Sequence, residues 1–270
     1  MIRLTAVAMA GLVLTGCASF SQDGGFDSVD KLTKDRIGQS PSYQRSADQA
    51  DSAATRVADL LKQPLTADSA VEVALLNNKD LQASYADLGI AEADLVRAGR
   101  LSNPSFTFGR LSGNGSVEID RAVVFNVLGL LTMPLAKEVG QRRFEATQFQ
   151  AAYESVGAAA EARKAFFEAV ATQQLVGYFG QVKAAADASN DLAKRMVLAG
   201  NFSKLAQMRE QSFYSDAVTN LAKSQHQAVA AREALVRALG LSGSQLDAMK
   251  LPDRLPDLPA VPAEPKDAEQ

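Results

Sequence analysis

The sequence predicts a mainly α-helical chain: a long antiparallel coiled-coil hairpin, with a two-stranded β-hairpin set between helices. Three observations predict it. Residues 134–198 have no proline after Pro134 and only single glycines, so they can form one helix of about 65 residues, near 100 Å long at 1.5 Å per residue. The hydrophobic period changes after Pro104, where Phe106 and Phe108 alternate with Ser105 and Thr107. The chain has no Trp, is 6% aromatic and is rich in Ala from Ala151 onward, which suits long helices touching through small side chains better than a bulky core.

Residues 1–17, MIRLTAVAMAGLVLTGC, place one cation, Arg3, before an apolar stretch too short to cross a bilayer as a helix. The end of this stretch, Leu14-Thr15-Gly16-Cys17, resembles the bacterial lipobox. That resemblance implies cleavage before Cys17 and lipid attached to it. Ala18 and Ser19 lack the Asp that retains such proteins at the inner membrane, which implies the outer membrane. Two or more acyl chains would make the anchor stable.

Residues 18–64 read as a polar tether with one short helix around Ala47–Leu61, stopping at Pro64. Thr66 can cap a helix over 67–101, whose positions Ala70, Val73, Ala74, Asn77, Leu81, Tyr85, Leu88, Ala91, Leu95 and Ala98 keep a spacing of three and four. Asn103-Pro104 ends it. A β-hairpin over 104–127 follows, with turn residues Ser112-Gly113-Asn114-Gly115 and a second arm in which Val117, Ile119, Val123 and Phe125 alternate with polar residues. Each arm has about the length of a tilted barrel strand. Two strands alone are marginal in water and inadmissible in lipid, so a membrane role requires strands from other chains.

The long helix over 134–198 carries a thin stripe of Phe149, Ala152, Val156, Ala159, Phe166, Val170, Phe179 and Val182. Gly200 or Asn201 can take the left-handed position at its end, and Ser203 can cap a return helix over 203–239 that Gly240 closes. Residues 251–270 form a Pro-rich tail, extended or disordered.

Composition removes several functions. A net charge of −3 and a pI near 5.4 give no footprint for nucleic acid. One Cys and one His cannot supply a zinc cage, an internal disulfide or a His-paired nucleophile with a spare ligand. No acid pair stands out, and Gly113 and Gly115 lack a P-loop Lys. We therefore assign no catalytic residue, no metal and no cofactor. His226, in a Gln-rich helix, reads as solvated, and Asp187, Asp191 and Asp216 read either as tunnel lining or as an ordinary wet face. Asp120 and Arg121 are expected at the hairpin's wet face or rim.

The element order, with LTADSAVEVALLNNKDLQASYADLGIAEADLVRAGRLSNPSFTF (Leu65–Phe108), RMVLAGNFSKLAQMREQSFYSDA (Arg195–Ala217) and AREALVRALGLSG (Ala231–Gly243), resembles the TolC-like outer membrane efflux protein family. The resemblance covers most of residues 65–250 and implies an outer-membrane lipoprotein, a passive duct served by a periplasmic adaptor and an inner-membrane transporter. It implies that Arg195, Gly200, Asn201, Ser203 and Leu205 form the tip that docks the adaptor. Read without it, the same residues are a helix C-cap followed by an N-cap, and both can hold. Phe106, Phe108, Val123 and Phe125 read either as lipid-facing barrel residues or as packing against helices, and the resemblance favours lipid. Members carry two such repeats and this sequence shows one, so a closed barrel is expected to need a homo-oligomer of six copies or a partner half-channel. A non-conducting periplasmic structural or assembly lipoprotein is the alternative.

Overall fold

The computed structural model describes residues 20–113 and 116–258. The signal segment, Cys17, Ala18, Ser19, the turn residues Asn114 and Gly115, and the tail from Pro259 lie outside the described residues. The chain is mainly α-helical and divides into two compact units.

The first unit joins the residues up to Tyr43 to Asp80–Val156. It opens with α1 (Phe26–Ile37), inside the stretch expected to be a tether. The carboxylate of Asp23 accepts from the backbone N–H of Asp27 at 2.9 Å, Lys34 and Arg36 occupy the last turn, and Gly38 closes the helix. Only a few apolar residues mark α1, yet Val29 is fully buried. Phe26, Tyr43 and Tyr85 form a three-ring cluster with centroids 5.0–5.9 Å apart.

The helix expected over 67–101 is two helices, α3 (Ala67–Asn77) and α4 (Lys79–Ala98). Asn78 between them is extended (ψ 118°), and both asparagines turn their amides to the end of a distant helix in the second unit's fold. Asn is also a weak helix former whose side chain competes for backbone groups. Strands β1 (Ser105–Gly113) and β2 (Ser116–Val124), nine residues each, pair antiparallel from Ser105↔Val124 to Gly113↔Ser116.

Next comes α5 (Val127–Leu198), 72 residues long, beginning a full two turns before the expected start. Asn126 explains this: its Oδ1 accepts from the Gly129 N–H at 2.8 Å, and its carbonyl from the Leu130 N–H at 3.2 Å. Pro134 lies inside the helix rather than at its first turn. The missing proline N–H would have bonded the carbonyl of Leu130, an exposed residue where water can replace it.

The second unit joins Gln44–Lys79 to the residues from Gly157. It holds α2 (Ala47–Leu61), α3, the rest of α5, α6 (Lys204–Leu239) and a short α7 (Gln245–Ala248). As the sequence predicts, Thr66 caps α3: Ser69 N–H donates to Thr66 Oγ1 at 3.1 Å, and Thr66 N–H donates to Ser69 Oγ at 2.8 Å. The core gathers Val57, Leu61, Leu65, Val73, Ala162, Ala165, Phe166, Ala169, Val170, Leu235, Leu239 and Leu241. Small residues dominate the buried face of α5, where Ala151, Ala152, Ala159, Ala162, Ala165, Ala169, Ala186 and Ala193 are buried. Phe149 of the expected stripe is exposed instead, since the inward face runs through Phe144, Ala151, Ala152 and Ser155.

Residues 250–255, beyond α7, pack rather than trail away. Leu65 N–H donates to the Lys250 carbonyl at 2.9 Å, Leu255 N–H to Gln174 Oε1 at 3.1 Å, and Leu251 and Leu255 lie against the core.

Candidate functional site

Two parts of the chain carry the residues singled out from the sequence: the β-hairpin in the first unit and the α5–α6 turn in the second. In an antiparallel pair, residues directly opposite share a face. The register pairs Phe106 with Val123, Phe108 with Arg121, Arg110 with Ile119 and Ser112 with Val117, so these eight residues form one face. Thr107, Gly109, Leu111, Glu118, Asp120 and Ala122 belong to the other. One face is thus apolar except for two guanidinium groups and a serine, and the other sets small, polar and acidic residues beside Leu111 and Val124.

The structure brings Phe106, Phe108 and Val123 together on the apolar face, all exposed. Phe125 stands beyond the end of β2 and is exposed too. The exposed apolar surface continues into α5 through Val127, Leu128, Leu130, Leu131 and Leu135. Asp120 and Arg121 do not share a wet face. Neighbouring residues of a strand point to opposite sides, and Arg121 lies among the phenylalanines.

Among the described residues the sheet has two strands, so the outer edges of both carry backbone groups with no strand beside them. No helix among the described residues is long and apolar enough to cross a membrane.

The turn between α5 and α6 is a doubly bonded Schellman cap. Gly200 has φ 76°, its N–H reaches the Val197 carbonyl at 3.0 Å, and the Asn201 N–H reaches the Met196 carbonyl at 2.9 Å. The Arg195 carbonyl accepts from Ala199 N–H at 3.1 Å. Ser203 Oγ then accepts from the Ala206 N–H at 3.1 Å and starts α6. Satisfied backbone leaves the side chains outward: Arg195, Asn201 and Leu205 are exposed, and Leu198 beside them is 87% exposed.

Behind the turn the two helices are tied antiparallel. Ser189 Oγ donates to Glu210 Oε2 at 2.6 Å, and the Lys183 ammonium lies 5.8 Å from the centre of the Tyr214 ring. Asp187 and Asp191 are each paired with a lysine on their own helix, at 3.3 Å from Lys183 and Lys194, which reduces the net field they could impose. Asp216 and His226 are exposed. Among the described residues, no group of three or more His, Cys, Asp or Glu could hold a metal ion.

Sequence reasoning missed three residues near these elements, Asn126, Arg110 and Glu92, and did not place Arg121 on the apolar face. Asn126, the cap that places the start of α5 directly after the hairpin, was legible as an Asn before an apolar run. Arg110 and Arg121 were legible only once the register fixed their face. Glu92, buried in α4, accepts from the backbone N–H of Ser21 and so ties the first described residues to the helix leading to the hairpin, a contact with no local signal.

This architecture of a long helix pair with an unclosed two-stranded hairpin is shared, at the level of fold, with solved structures. It is similar to a crystal structure of a membrane protein from Pseudomonas aeruginosa, at 19% identity and TM-score 0.58 over 68% of this chain and 46% of that one. It is similar also to CusC, in structures described for folding and transmembrane channel formation, at 18% identity and TM-score 0.57 over 72% of this chain and 48% of that one. The chain spans just under half the length of each. No protein-family model matches the chain, and no curated protein matches it.

Proposed function

We propose that this chain is a lipid-anchored component of an outer-membrane export duct, held through Cys17 and extending into the periplasm. It conducts passively while a periplasmic adaptor and an inner-membrane transporter supply recognition and energy. The observation that carries this reading is the hairpin: two nine-residue strands, one face apolar apart from two arginines and a serine, the other largely polar, both exposed. In water such a surface is unfavourable; in a barrel wall the apolar face meets lipid and the polar face meets the lumen. The likeness of the fold to CusC supports it.

In this reading Phe106, Phe108, Val123 and Phe125 face lipid, and the open strand edges pair with other copies or with a partner half-channel. The rigid capped turn presents Arg195, Asn201 and Leu205 to the adaptor. The duct is a conduit, and no step of its action is chemical catalysis.

The test is extraction of the lipidated protein from outer membranes in mild detergent, followed by its native mass and its conductance in planar bilayers. An oligomer that migrates differently after heating and gives discrete conductance steps is expected. A monomer that never conducts overturns the duct and leaves a structural lipoprotein.

A further inference from the structure

Arg110 and Arg121 are set in the middle of the hairpin's apolar face. Their rungs flank the central Gly109–Asp120 rung, which makes the two residues diagonal neighbours, one opposite Ile119 and the other opposite Phe108. Both are exposed. The ion pairs among the described residues lie on the helices, between helices, or at Arg254–Asp257, and none is on the hairpin. The hairpin's own carboxylates, Glu118 and Asp120, point to the opposite face.

Association of copies does not correct this imbalance. Strands added edge to edge continue each face, so every further copy adds two guanidinium groups to the apolar side and two carboxylates to the other. An unpaired arginine facing hydrocarbon is among the most costly residues on the outer wall of a barrel. The counter-charge must come from what covers that face, and it must be an anion compatible with Phe106, Phe108, Ile119 and Val123 around it. Guanidinium forks bind phosphate oxygens in pairs, and their aliphatic stems lie well along apolar surface.

We propose that Arg110 and Arg121 form a binding site for the phosphate groups of anionic membrane lipid, whose acyl chains cover the neighbouring apolar residues. The site rests on the membrane reading of the hairpin. It fixes the depth of the hairpin: the arginine rungs lie at the headgroup layer, so the Phe106–Val123 end, Phe125, Leu128 and Leu131 lie in hydrocarbon and the Ser112–Val117 end projects beyond it. The chain carries a net charge of −3, so a preference for an anionic surface has to be local.

The absence of Trp makes Phe106→Trp a unique emission probe on this face. The full chain bearing F106W is titrated with vesicles of phosphatidylcholine, and with vesicles that also contain phosphatidylglycerol, with and without R110Q/R121Q. A blue shift with both vesicles is expected, with binding about thirtyfold tighter to the anionic ones, the effect of two basic residues at such a surface. R110Q/R121Q should erase that preference, keep the shift in neutral vesicles and leave the helical circular dichroism unchanged. A preference that survives the double substitution overturns the phosphate site while the membrane reading stands. No shift with any vesicle overturns the membrane reading itself. A shift that grows with protein concentration in the absence of lipid assigns the face to a second copy and overturns the site.

Discussion

Tyr85 of α4 and Ser155 of α5, 70 residues apart in sequence, meet at 2.7 Å in the interior of the first unit. Ser155 Oγ also donates to the Ala151 carbonyl at 2.7 Å, so its single proton is already used and the Tyr85 hydroxyl is the donor of the shared bond. This bond fixes the register of the two helices that lead into and out of the β-hairpin, and the rings of Phe26 and Tyr43 close over it.

Burial pushes the Tyr85 phenol up to about 12 from its ordinary 10.0, with the charge of Glu154 adding to the rise. A folded-state value above the unfolded one contributes stability in full below pH 10 that is lost as pH rises through 12. Alkaline titration should therefore loosen the first unit between about pH 10 and 12, with one tyrosine ionising late by its ultraviolet absorbance. Tyr85→Phe should cost about 1 kcal/mol at neutral pH and remove this part of the alkaline loss, read by thermal unfolding at both pH values.

Gly240 ends α6 in the left-handed conformation (φ 65°), where the Gly240 and Leu241 N–H groups return to the Arg237 and Val236 carbonyls at 3.0 Å each. A Cβ there would lie 2.9 Å from the Asn77 carbonyl oxygen and 2.9 Å from Asn78 Cα, both backbone atoms. Gly240→Ala should destabilise the second unit by about 2–3 kcal/mol, from the strained backbone and the clash together. Gly200→Ala, with a similar φ but open space around it, should cost only about 1 kcal/mol. Urea unfolding of the pair separates the two contributions, and equal losses would refute the clash.

What the sequence revealed was local. The Thr66 cap, the span of α2, the cap at Gly200, the Ser203 start and the Gly240 stop all rest on a side chain or a glycine acting within its own turn. What it concealed depends on partners far along the chain. The break at Asn78 is held by amides that reach Ala238 and Gly240, and α1 is stable because Phe26 and Val29 find a buried surface. The placement of Arg121 among the phenylalanines needed the strand register, since alternation alone permits either face to carry the charge. The mainly α-helical chain with its two-stranded hairpin was legible in the sequence, while the roles of the tip and of the lipid-facing residues are proposals.

Leu205 stands exposed in the first turn of α6, just past the Ser203 cap. Leu205→Asp should shift stability by no more than about 0.5 kcal/mol, since no buried contact is lost. If the tip docks an adaptor through apolar contact, the same change should lower export from intact cells by tenfold or more and abolish co-purification of the adaptor, at unchanged oligomer mass. Undiminished export would remove the tip from the docking surface.

The acidic face of the hairpin leads to the last prediction. Glu118 and Asp120 lie two residues apart on β2 and so on one side of the sheet, opposite Leu111 and Gly109. In a barrel assembled from several such hairpins, these carboxylates repeat around the lumen, as rings of fixed negative charge in a confined space where the field is strong. Cations should then carry more of the current than anions, and the bias should weaken as salt shortens the screening length from about 30 Å at 0.01 M to about 10 Å at 0.1 M. Glu118→Gln with Asp120→Asn should move the reversal potential in a salt gradient most of the way to zero without changing the number of conductance steps. An unchanged reversal potential would mean that this face does not line the conducting path, and with it the assignment of Phe106, Phe108 and Val123 to lipid would fall.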